Sequence, residues 1–142
     1  MPRRIDLTSR HKRLTFAAAR RALDGIVDFQ RFALTFIYAK GELGWLLRPA
    51  TVHGRVQALG SVPLRILTKG QRSAVVIERL SDGRIPMRLD TRLLRNVESL
   101  RTVARHEVAE INLIMGLERK FQSMSTLLQL LQKADEAGYE AE

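Results

Sequence analysis

The sequence predicts an α-rich α+β chain, with two long helices packed antiparallel and joined by a short helix and a three-stranded antiparallel β-meander. Three observations predict it. From Thr8 to Lys40 there is no Pro and a single Gly, and apolar residues fall at helical spacing. From Val62 to Leu89 the pattern changes to short apolar runs divided by Gly-containing turns. From Asp90 to Lys133 Pro is again absent and Gly116 stands alone. With 142 residues, 45% of them hydrophobic, the chain fits one domain with a core of its own.

Residues 1–8 form a basic arm. Thr8 or Ser9 caps the first helix, in which Ala19, Leu23, Ile26, Ala33 and Ile37 recur at 3.6-residue spacing and Ala22, Phe29, Phe32 and Phe36 widen the apolar arc. Arg20 with Asp24 and Asp28 with Arg31 are expected as ion pairs on its wet face. Gly41 and Gly44 interrupt the helix. Trp45–Leu47 make an apolar turn before Pro49, and Thr51–Leu59 is a short helix stopped by Gly60, so that 9–60 is helical throughout.

The meander, 62–89, comprises Val62–Thr68, Arg72–Leu80 and Arg84–Leu89, with turns at Lys69-Gly70-Gln71 and Ser81-Asp82-Gly83. In the third run Ile85, Met87 and Leu89 alternate with Arg84, Pro86 and Arg88, and Pro86 suits an edge strand. The last helix, 91–133, would be about 65 Å long if unbroken. A heptad seam of Leu93, Val97, Leu100, Ala104, Ile111, Ile114, Phe121 and Leu128 is interrupted by Glu107, Glu118, Ser125 and Gln132, so any coiled coil is partial. The acidic tail, 134–142, is expected to fray.

Twenty-four Lys and Arg against fifteen Asp and Glu give a formal charge of +9, and only Lys12, Lys40, Lys69, Lys120 and Lys133 of those cations are Lys. Arg holds phosphate or carboxylate in a planar two-pronged grip, so a polyanion is the expected partner class. The charge is uneven: 1–48 carries +6 and 91–142 carries −1. The chain has no Cys, which excludes disulfides, thiolate nucleophiles and Cys-bound metal. No apolar run approaches the ~18 residues of a membrane span and no leader-like core follows Met1, so a cytoplasmic protein away from the membrane is expected.

His11, His53 and His106 are scattered and lie near no nucleophile motif, and there is no phosphate-cradling Gly loop; no catalytic residue, cofactor or metal is expected. Gly41-Glu42-Leu43-Gly44 has the G-x-x-G spacing that approaches a nucleic-acid backbone in the KH fold, but it places an acid where phosphate should sit and lacks a preceding strand, so it is a helix break. His106-Glu107-Val108-Ala109-Glu110 has the spacing of a zinc-protease helix with Glu in place of the second His. The expectation is solvated ion pairs with Arg101 and Arg105. The motif could hold a metal only if the fold brought in another His or carboxylate.

These observations together predict a non-enzymatic nucleic-acid-binding accessory protein, for DNA or RNA. Its phosphate contacts would come from Arg3, Arg4, Arg10, Lys12 and Arg13 and, in the meander, from Arg65, Lys69, Arg72, Arg79, Arg84 and Arg88. Phe121, Met124, Leu127, Leu128 and Leu131 on the last helix would serve homo-oligomerisation or docking into a larger complex. The alternative is a protein-interaction adaptor whose positive charge meets an acidic partner, with no nucleic-acid contact.

Overall fold

The computed structural model of the chain describes residues 11–38, 60–61, 64–70, 72–77, 79–116, 118 and 120–142. The first helix, α1, spans Phe16–Ala22. Thr15 caps it, its Oγ1 accepting from Ala18 N at 3.1 Å. It ends before Gly25, whose φ of 80° needs a residue without Cβ. Asp28 then accepts from Gln30 N at 2.9 Å in an Asx-type turn, and the chain leaves as strand β1, Phe32–Ile37. The expected helix to Lys40 is therefore corrected to one of seven residues. Apolar residues from 32 to 37 occupy both parities, so helical spacing coexists with a period-two pattern. The buried pair is Phe32 and Leu34, and the aromatic and β-branched composition suits a pleated strand. The expected helix break at Gly41–Gly44 and the short helix Thr51–Leu59 lie outside the described residues.

Strands β2 (Gly60–Ser61), β3 (Leu64–Lys69), β4 (Arg72–Ile77) and β5 (Ile85–Asp90) follow. The expected hairpin forms between β3 and β4, with Leu64 opposite Ile77 and Lys69 opposite Arg72. The three-stranded meander does not form. Instead β5 is the middle strand of a separate sheet of order β1-β5-β2, parallel to β1 and antiparallel to β2, while β3 and β4 share a sheet with β6, Gln122–Ser123. Burial accounts for the change: on β5 only Arg88 is not fully buried, so the strand has no wet face and needs neighbours and covering layers on both sides. Pro86 is tolerated because Ile85 N donates to Arg31 O of the β1 side at 2.9 Å. The missing N–H of the next residue then points the other way, where β2 reaches only Arg88 and Leu89.

The expected 91–133 helix is divided. Asp90 caps a 3-10 turn over Thr91–Arg95. Asn96 caps helix α2, Val97–Met115, its Oδ1 accepting from Ser99 N at 3.1 Å. Gly116 closes that helix, and Ser123 caps helix α3, Met124–Ala141. The acidic tail expected to fray is the last two turns of α3. Thus the two long helices that pack together are α2 and α3, not one from each end of the chain. Leu100, Ala104, Ile111 and Ile114 of α2 and Leu127, Leu131 and Ala134 of α3 join residues of α1 and of both sheets in one buried core. No described helix is long and apolar enough to cross a membrane.

Candidate functional site

His106 and Glu110 stand one turn apart on the same face of α2, and that face is turned inward: exposures are 6% for His106, 1% for Glu107 and 3% for Glu110. The imidazole Nε2 lies 3.0 Å from Glu110 Oε2 and 3.3 Å from Asp135 Oδ1 of α3. On the other side of the ring, Nδ1 lies 3.0 Å from Glu142 Oε1. His106 thus meets residues late in α3 while Glu110 meets Asp135, earlier in it, which makes the two helices antiparallel here. The ring of Tyr139 stands edge-on to the imidazole at 4.6 Å.

Gly138 makes this packing possible. A Cβ at that position would stand 2.7 Å from both Nε2 and Cδ2 of His106, inside contact distance. Glycine within a helix costs about 1 kcal/mol relative to alanine, so the ring lies against the α3 backbone at the expense of helix propensity.

The cluster is dominated by negative charge: four carboxylates, Glu107, Glu110, Asp135 and Glu142, act on one imidazole. Burial works against an imidazolium and is the largest single influence on His106. Hydrogen bonds with Asp135 and Glu110 and the charges of Glu107 and Glu110 together outweigh it, and its pKa is raised to about 10. Burial, then the charge of Glu110, pushes Glu107 well above the ordinary carboxylate range. Burial also raises Glu110, against the lowering effect of its hydrogen bond to His106. Glu107 Oε1 is buried with no hydrogen-bond partner. The expected solvated pairs with Arg101 and Arg105 are corrected: Arg101 reaches Ala22 O and Glu98 instead, and Arg105 makes no ion pair.

The residues expected to contact phosphate are dispersed. Arg3, Arg4 and Arg10 lie outside the described residues. Arg65 belongs to β3 by its backbone, and its side chain is outside the described set. Lys12 and Arg13 precede α1. Lys69 and Arg72 are exposed, directly opposite each other at the end of the β3–β4 hairpin, and neither has an ion-pair partner among the described residues. Arg79 pairs with Glu118 at 3.2 Å and Arg84 with Asp82 at 2.8 Å. Arg88 is on β5, in the other sheet, so the expected alignment of Arg84 and Arg88 with Arg72 or Arg79 does not occur.

Of the residues expected to dock a partner, Leu127 and Leu131 are buried in the chain's own core at 1% and 5% exposure, and Leu128 is half-buried. Phe121 is exposed, and the Met124 side chain is outside the described set. Sequence reasoning missed Asp135, Tyr139 and Glu142 as members of the cluster. The available signal was Gly138, a glycine without a turn function inside a helical pattern. No family model matches the chain, and neither a curated protein nor a solved structure matches it.

Proposed function

We propose that the chain is a non-enzymatic protein that binds the phosphates of nucleic acid through its basic surface. One observation carries the reading: three acids are turned inward, while several cations face outward without an ion-pair partner among the described residues. Asp90, Glu107 and Glu110 are buried, whereas Lys12, Arg13, Arg21, Lys69 and Arg72 are exposed and make no ion pair among the described residues. His106, whose pKa is raised to about 10, adds positive charge to the formal +9, which counts it neutral.

The hairpin end is the most specific part of this surface. Like charges directly opposite on an antiparallel pair repel, and Lys69 and Arg72 have no ion-pair partner among the described residues. A phosphate between them removes that repulsion.

Fluorescence anisotropy of single- and double-stranded DNA and RNA, titrated at several salt concentrations, tests the proposal. Affinity should fall steeply with salt, and each lost phosphate contact should flatten the slope of log K against log salt by roughly 0.9 on duplex DNA. Replacing Lys69 and Arg72 with Gln should therefore flatten it by two contacts, while Arg84→Gln, whose cation is already paired with Asp82, should leave it unchanged. A folded chain that binds none of the four polymers at low salt would instead assign the basic surface to an acidic protein.

A further inference from the structure

We propose that His106 Nε2, Glu110 Oε2 and Asp135 Oδ1 bind one divalent first-row transition-metal ion, Zn²⁺ by the chemistry of the donors, at the interface of α2 and α3. The three ligand atoms lie within 4.8 Å of one another. Donors about 2.0–2.2 Å from a common Zn²⁺ stand roughly 3.0–3.5 Å apart. The 3.0 Å and 3.3 Å separations from Nε2 to the two carboxylates already have that spacing.

The arrangement around the imidazole suits a ligand. Glu142 Oε1, 3.0 Å from Nδ1, accepts the hydrogen bond from Nδ1–H, so that an ion displacing the Nε2 proton meets a lone pair directed at the two carboxylates. A carboxylate behind a ligating His both orients the ring and raises its basicity. Gly138 clears the space in which the ring lies.

Glu107 supplies an independent observation. It is 1% exposed, its Oε1 has no partner, and it interacts electrostatically with Glu110, His106, Asp135 and Glu142. A buried carboxylate oxygen without a donor is costly, and here the missing donor belongs where the negative charge converges. Adjacent residues on a helix diverge by about a quarter turn, so Glu107 does not share the ligand face of His106 and Glu110. Its role is to accept from a water that completes the coordination of the ion. Even with an imidazolium, four ionised carboxylates leave three uncompensated negative charges in the cluster, and a divalent ion supplies the charge that protons must otherwise provide.

One imidazole and two carboxylates select the ion. The nitrogen favours Zn²⁺ over Mg²⁺ and Ca²⁺, and the lack of any Cys in the chain disfavours the softer ions. With His106 and Glu110 buried on α2 and Asp135 half-buried on α3, the ion would pin the last turns of α3 onto α2.

The test is a titration of the chelator-stripped full chain with Zn²⁺ in competition with a chromophoric chelator. One equivalent should bind, and Glu110→Gln and Asp135→Asn should each weaken it by about tenfold or more. Co²⁺ should give visible absorption that Zn²⁺ abolishes. No bound equivalent, binding that both variants leave unchanged, or a preference for Mg²⁺ over Zn²⁺ would each overturn the proposal. Should a variant not fold, the imidazole ¹⁵N signals of the wild-type chain decide: Nε2 must shift on adding Zn²⁺ while Nδ1 stays protonated, and an Nε2 signal indifferent to the ion overturns the site.

Discussion

Gly138 is the residue on which the packing of α2 against α3 depends most directly. Alanine there would gain about 1 kcal/mol in helix propensity. Its Cβ would also stand 2.7 Å from the His106 ring, and the ring is held by carboxylates on both sides. Overpacking of this kind costs about 1–3 kcal/mol, so Gly138→Ala should lower the urea midpoint; a raised midpoint would show that the imidazole moves freely. Titration adds a second residue-scale expectation. His106 is held near 10 against an ordinary 6.5, so its stabilisation is complete below about 6.5 and disappears as pH rises through about 10. Glu107 and Glu110, raised as well, keep protons in the folded chain that the unfolded chain has released, and they too lose stability as pH rises. Denaturation midpoints measured in chelator should therefore decline steadily from pH 5 to pH 10. A midpoint that rises across that interval would refute the charge balance derived for the cluster.

Among the elements, the β3–β4 hairpin sets stability against binding. Lys69 and Arg72 face each other across its end. Lys69→Glu would convert repulsion into an opposite-charge pair worth roughly 0.2–1 kcal/mol. Such a variant should melt slightly higher and bind polyanions more weakly, and an unaltered salt slope would remove this end from the interface. The helices have readable boundaries: Asn96 and Ser123 both accept from a backbone N–H three residues on, and Gly116 follows α2. The lack of Pro in this stretch suggested one long helix, and the tertiary structure divides it at these three residues. The stretch expected as one helix to Lys40 was less legible. Its alternation of Phe32, Leu34 and Phe36 was masked by apolar neighbours at Ala33 and Ile37, so neither period excluded the other.

The whole molecule joins α1, both sheets, α2 and α3 in one core. Leu127 and Leu131, expected on a docking face, belong to it. Leu127→Ala should cost about 2–5 kcal/mol, as core truncations do. Phe121→Ala, at an exposed ring, should change stability little. Chemical denaturation of the two variants distinguishes core from surface on the same end of the chain. Equal small effects would return Leu127 to the surface. Burial of Asp90, Glu107 and Glu110 also means that the exterior is more basic than the composition suggests, the property on which the proposed nucleic-acid contact rests.

By itself the sequence determined what depends on neighbours along the chain. This includes the Gly70 hairpin, the excess of Arg over Lys, and the placement of His106 and Glu110 on one helix face. Only the tertiary structure decided that β5 lies parallel to β1 and that α3 brings Asp135 and Glu142 to either side of the His106 ring. Periodicity reports which side of an element is apolar, not which distant segment covers it. A parallel strand pair and an inter-helical charge cluster are both made by long-range contacts, whose selection depends on the packing of the whole core.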